Sequence, residues 1–203
     1  MFLMQQPKTF VIALKDHTIS RSQLQDCLDS AKKFNWEIEI FWAIDGRTLT
    51  EQSWKDLGIT PLYHKTGKKG GMDRRGTWGC FFSHYTLWNR CIEIQEPIVI
   101  LEHDAIINQT WQPVNLDSLT KLHENYTIKF AHKLVDQDSG FSSSSTHAYC
   151  LSPEQASKLV NFSKSVGAFA TDRMIGDKVL SYKHTTPSIV DRQNTFSTTG
   201  FLE

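Results

Sequence analysis

Neither sign of charge dominates this chain. Its 22 Lys and Arg offset 22 Asp and Glu across 203 residues, and the formal net charge is zero. Nucleic-acid binding needs a concentrated basic excess, so no nucleic-acid partner is expected. Long apolar runs are missing too. No stretch approaches the roughly 20 apolar residues that cross a bilayer, and Met1 to Lys8 holds no apolar core of signal-peptide length. A cytoplasmic protein with no membrane span is therefore expected. Cysteine is scarce: Cys27, Cys80, Cys91 and Cys150 show no C-x-x-C spacing. Free thiols in a reducing compartment follow, rather than a zinc site or a disulfide frame. The sequons at Asn108, Asn125 and Asn161 carry no weight without a secretion signal. The basic stretch 64–75 lacks the G-x-x-x-x-G-K-[ST] spacing of a P-loop.

What is present describes a globular chain, with 39% apolar and 22% charged residues. Its length suits a single domain, 1–203, with ample material for one core. Strand and helix signals alternate. Phe10 to Leu14 and Glu37 to Trp42 read as strands, with a helix between them opened by the box Ser22-Gln23-Leu24-Gln25. A short helix capped by Thr50 ends at Gly58, and a longer one spans about Trp78 to Ile94 with an apolar stripe. Beyond residue 105 the pattern gives a helix near Leu116 to His123 and strands at Thr127 to Ala131 and His147 to Leu151. A helix opens at Ser152-Pro153-Glu154-Gln155 and another near Thr171. Short strands follow at about Tyr182 to Thr185 and Ser188 to Val190. Alternation of this kind argues for a three-layer α/β fold. The stretches 64–75 and 136–145 read as loops, and the first, with five basic residues and three glycines, suits either a solvated flexible loop or a lid over an anionic ligand.

The most telling run is Ile98-Val99-Ile100-Leu101, which ends on Glu102-His103-Asp104. Four aliphatic residues in a row read as a strand buried on both faces. Carboxylates at its end are costly to desolvate, and a divalent cation is one compensation. Ligands also bind at the carboxyl ends of strands in open α/β sheets. An ordinary strand-to-loop transition with solvated acids fits the same pattern.

Gly79-Cys80-Phe81-Phe82-Ser83-His84-Tyr85-Thr86-Leu87-Trp88, followed by this acid-ended strand, resembles the G-C-x-x-S-H-x-x-L-W and E-D-D segments of family 25 glycosyltransferases. Val11-Ile12-Ala13-Leu14 with Arg21 resembles the family's opening strand and arginine, and Phe41-Trp42-Ala43-Ile44-Asp45-Gly46 its F-x-A-x-D-G. Ala148-Tyr149-Cys150-Leu151-Ser152 and Thr171-Asp172 match more loosely. Three positions depart from the pattern. His103 replaces the middle acid, Thr77 an acid before Gly-Cys, and Thr146 a glycine before Ala-Tyr.

The resemblance implies a GT-A fold: a single-domain, Rossmann-like three-layer α/β/α sandwich with a mixed sheet. About 9–104 would be the nucleotide-binding half and 105–203 the acceptor half. It implies a metal-dependent inverting transfer of galactose or glucose from a UDP-hexose to a glycan acceptor. Asp104 would bind Mn²⁺ (or Mg²⁺), with Glu102 on the ribose or a metal-bound water and His184 as a further ligand. His184 also suits an ordinary surface or core position. Leu14, Arg21, Asp45 and Gly46 would meet the UDP moiety, although Asp-Gly is also a common turn. Ser83 and His84 would buttress the donor site. His103, counted among the donor-site residues, is expected to point away from Glu102 by strand alternation. Cys80 and His84, four apart, are not read as a nucleophile pair, since no oxyanion device lies nearby. Asp172 would take the acceptor's proton, or serve helix-end electrostatics alone. A nucleotide-sugar hydrolase and a catalytically silent binding module remain alternatives.

Overall fold

The computed structural model describes residues 2–62, 72–123, 145–176 and 179–193. A short strand β1 (Phe2–Leu3) precedes β2 (Lys8–Ala13), α1 (Thr18–Lys33) and β3 (Glu39–Trp42). A 3₁₀ turn (Gly46–Thr48), α2 (Glu51–Leu57) and the long α3 (Arg75–Ile94) follow. The second half runs β4 (Ile98–Glu102), β5 (Ala105–Ile107), β6 (Val114–Asn115), β7 (Leu119–Lys121) and β8 (Ala148–Leu151). It continues with α4 (Pro153–Ser165), α5 (Thr171–Met174), β9 (Tyr182–His184) and β10 (Val190–Arg192).

Six strands make one mixed sheet in the order β3-β2-β4-β8-β7-β9. Strands β3, β2 and β4 are mutually parallel, and β8 lies antiparallel between β4 and β7. Side chains alternate across this sheet and build a core on each side. Phe10, Ile12, Ile98 and Ile100 pack with Phe81 and Trp88 of α3 and Leu159 of α4. Val11, Ala13, Val99 and Leu101 pack with Leu24, Cys27 and Ala31 of α1. This is the three-layer α/β arrangement expected from the alternation. No helix among the described residues is long and apolar enough to cross a membrane.

Local signals explain most boundaries. Thr50 and Ser152 form capping boxes, Pro153 sits at the start of α4, and Gly58 ends α2 in the left-handed region at φ 66°. Helix α1 begins four residues before the expected Ser22 box. His17 caps it, its ring accepting from the Ser20 amide at 3.3 Å. The helix expected near Leu116 to His123 is instead a strand, β7, flanked by irregular chain. Leu119 joins the α3 core while Leu116 and Leu122 join the α1 core. Their threefold spacing mimics a helix face, yet the residues serve opposite sides of the sheet, which one helix face cannot do. Strand β10 starts two residues later than expected, at Val190, where it pairs with β5. The strand expected at 127–131 and most of the loops expected at 64–75 and 136–145 lie outside the described residues.

Candidate active site

The connection from β2 through α1 to β3 runs on one face of the sheet, and α3 leads to β4 on the other. The chain therefore departs from β2 in two directions, which leaves a crevice at the carboxyl ends of the parallel strands. The crevice and the open solvent at its mouth together span about 460 Å³. Ile12 to Leu14, Ala43 and Ile44 form one side, and Gly79, Cys80, Ser83 and His84 of α3 the other. Glu102 and His103 close its floor.

Two glycines let backbone approach backbone here. A Cβ on Gly79 would stand 2.5 Å from the Ile44 carbonyl oxygen and 2.7 Å from the Gly46 nitrogen, and one on Gly46 would overlap the Arg75 carbonyl. Gly46 is thus explained by the packing of the 3₁₀ turn on α3. Ser83 fixes the same junction: its hydroxyl donates to the Gly79 carbonyl at 2.7 Å and accepts from the Ile44 amide at 2.9 Å.

A buried polar chain reaches the floor from behind. The Trp88 indole donates to the Tyr149 hydroxyl at 3.0 Å, and that hydroxyl stands 2.7 Å from His84 Nδ1. An indole N–H can only donate, so the Tyr149 oxygen accepts from Trp88, and the same hydroxyl can either donate to His84 Nδ1 or accept from it, according to the ring's tautomer. The ring's Nε2 faces Glu102 Oε1 at 3.6 Å. The Thr146 hydroxyl donates to the same oxygen. Burial pushes the Glu102 carboxyl up, but the His84 ring and the Thr146 hydroxyl outweigh it and hold the group below the usual carboxylate range. Tyr149, Thr146 and Cys80 were not foreseen as parts of the site. The Ala-Tyr-Cys-Leu match was the signal that could have pointed to Tyr149.

The other expected residues divide between the cleft and its surroundings. Leu14 lines the cleft, its amide donating to the Ser20 hydroxyl at 2.9 Å. Arg21 is on the exposed face of α1 and is not among the cleft-lining residues. Asp45 caps the 3₁₀ turn, and its carboxylate is gripped by the Arg47 guanidinium at 2.6 and 3.0 Å. That contact holds Asp45 below the usual carboxylate range. Asp172 follows Thr171, whose hydroxyl lies 3.5 Å from Cys80 Sγ on α3.

The acid motif divides. Strand β4 ends at Glu102, and residues 103–104 turn the chain out of the main sheet into β5. Alternation therefore stops, and His103 faces the cleft beside Glu102 instead of pointing away. Asp104 goes to the α1 side, where its charge helps push the Cys27 thiol up to about 12, after burial. Its Oδ2 accepts from Arg192 Nε at 2.6 Å. Register places Arg192 there, since it pairs with Ala105 across β5 and β10. Burial and the Glu102 charge raise the Asp104 pKa, with Arg192 opposing them. His184 is held by the His123 carbonyl, 2.8 Å from its Nδ1, and packs edge-on against the His123 ring. Asp104, Glu102 and His184, expected to share a hard cation, therefore do not converge. As placed, they do not fit Mn²⁺ or Mg²⁺. Among the described residues the metal-type side chains that do converge are Cys80, His84 and Glu102.

Beside the floor, the His147 ring stacks on His123 with centroids 4.1 Å apart. Burial lowers the His147 pKa to about 3, and it lowers His184 as well. Unfolded, His147 takes up its proton near 6.5; folded, near 3. Between these values the unfolded chain binds more protons, so stability falls as pH drops through the window, by up to ~1.4 kcal/mol per pH unit for one histidine. Thermal unfolding from pH 7 to 4 is expected to show a falling midpoint, and His147→Gln a shallower fall. Equal slopes would remove His147 as the cause.

A cleft with a polar floor at the switch point of the sheet is the place where open α/β proteins bind their ligands. The sequence matches the family profile described as "Glycosyltransferase family 25 (LPS biosynthesis protein)" over residues 6–142. The chain belongs to glycosyltransferase family 25. It is 37% identical over 71 residues to a glycosyltransferase 25 family member from Aedes aegypti, covering 34% of this chain and 12% of that protein. It is 28% identical over 122 residues to procollagen galactosyltransferase 1-A of Xenopus laevis, covering 58% and 20%. Another relative, from Rattus norvegicus, is described as a probable inactive family member, with 31% identity over 104 residues covering 48% and 17%. The matches thus span about an eighth to a fifth of these relatives' own lengths. A crystal structure of the galactosyltransferase LgtC with donor and acceptor sugar analogs aligns at TM-score 0.47 and 12% identity, covering 87% of this chain and 72% of that one.

Proposed function

We propose that this chain transfers a hexose, galactose or glucose, from a UDP-sugar to a hydroxyl of a glycan with inversion at the anomeric carbon. The observation that carries the reading is the meeting of the family's Gly-Cys-x-x-Ser-His helix segment with Glu102 in one switch-point cleft. The uridine would lie across the ends of β2 and β3, against Leu14 and Ile44. Glu102, ionised and steadied by His84 and Thr146, would accept hydrogen bonds from the ribose hydroxyls. Asp172 would take the acceptor hydroxyl's proton as its oxygen attacks the sugar from the face opposite UDP.

A silent nucleotide-sugar-binding module is the second reading. It is favoured by His103 standing in the acid motif and by the relative described as inactive. Incubation with UDP-galactose or UDP-glucose, with and without glycan acceptors and with Mn²⁺ or EDTA, separates these readings. Release of UDP that depends on acceptor is expected. Release without acceptor identifies a hydrolase, and none a binding module. The EDTA arm reads the metal requirement directly.

A further inference from the structure

The cleft holds a donor set of a different chemistry from the one expected. Cys80 Sγ, a His84 ring nitrogen and a Glu102 carboxylate oxygen all lie within 4.8 Å of one another. His84 is 1% exposed, and its Nε2, aimed at this group, has no hydrogen-bond partner among the described residues. Cys80 and His84 are four apart on one face of α3, and Glu102 ends a strand whose other four residues are buried, so rigid elements present all three. All three line the open cleft.

We propose that Cys80, His84 and Glu102 bind Zn²⁺, or another borderline-soft divalent cation such as Co²⁺, and that this metal excludes the nucleoside from the cleft. Ligand atoms around tetrahedral Zn²⁺ stand roughly 3.3–3.8 Å apart, so a pair at the 4.8 Å limit would close by about 1–1.5 Å, shared between two side chains. Thiolate and imidazole favour Zn²⁺ over Mn²⁺ and Mg²⁺. The supporting contacts exist. The 2.7 Å link between Nδ1 and the Tyr149 hydroxyl fixes the ring, and on metal binding the ring proton sits on Nδ1, leaving the Nε2 lone pair to the ion. Burial, followed by the nearby Glu102 charge, keeps the Cys80 thiol protonated in the free protein. Binding therefore releases that proton to solvent as the S–H bond gives way to S–Zn.

Metal binding alone does not depend on the transferase reading; exclusion of the nucleoside does. Titration of the full chain with Co²⁺ should give one equivalent bound, a sulfur-to-cobalt charge-transfer band, and displacement by Zn²⁺. Cys80→Ser should lose the band and bind Zn²⁺ at least ~100-fold more weakly, since loss of an outer-shell partner alone costs ~10–100-fold. Zn²⁺ should also slow alkylation of Cys80 in the natural chain, read by peptide mass mapping, which needs no variant to fold. Uridine, which has no phosphate to chelate zinc, should weaken Zn²⁺ binding. A cobalt spectrum without the band, undiminished Zn²⁺ binding by Cys80→Ser, or unchanged alkylation overturns the site. If Zn²⁺ binds as described and uridine has no effect, the metal site stands and the exclusion fails. If uridine does not bind the metal-free chain either, the nucleotide reading of the cleft fails with it.

Discussion

Asp172→Asn is expected to bind a UDP-sugar as tightly as the natural chain does and to transfer it at least ~100-fold more slowly. The substitution keeps the shape and removes the proton acceptor, and a positioned base is worth ~10²–10⁴-fold. Asp172 stands in the first turn of α5, next to Thr171, which touches Cys80 on the cleft wall. The charge of Asp172 is felt at that thiol. Helix α5 has four residues, so its dipole adds less than the sequence suggested. Single-turnover rates beside UDP calorimetry give the answer. Near-natural turnover, or a product that keeps the donor's anomeric configuration, would remove Asp172 from the role.

Gly79→Ala is expected to destabilise the fold by about 3 kcal/mol, the upper end for overpacking, because both obstructing atoms belong to backbone. In a chain of this size that lowers the unfolding midpoint by roughly 6–12 °C. Gly58→Ala is the contrast: nothing lies within 4 Å of its added Cβ, and the left-handed φ of 66° costs about 1–2 kcal/mol. Thermal scans of the two variants test the difference. A Gly79→Ala chain as stable as Gly58→Ala would contradict the close seating of the 3₁₀ turn on α3.

Elements with purely local causes were legible in the sequence. The aliphatic run of β4, the αL glycine after α2 and the Ser-Pro-Glu-Gln start of α4 each name their structure within a few residues. The β7 region was not, because its leucines divide between two cores and their spacing imitates a helix. In the site, Ser83, His84 and Glu102 were readable from the family's motifs. The direction of Asp104 was not. Alternation places it beside Glu102 if the strand continues, and the strand stops one residue too soon. Its partner Arg192 is 88 residues away, and nothing near residue 104 announces it.

That long-range closure has a consequence for synthesis. Strand β5 gains its partner when Val190 to Arg192 pair with Ile107 to Ala105, and Gln193 then ties back to Gln23 across 170 residues. A chain emerging from the ribosome can form β2, α1 and α3 early, from segments near one another. The Asp104 carboxylate cannot meet its guanidinium until residue 192 has cleared the exit tunnel. The half-made protein therefore carries an open strand edge and an unneutralised acid beneath its cleft, and chaperones that shield such edges would meet it in that interval.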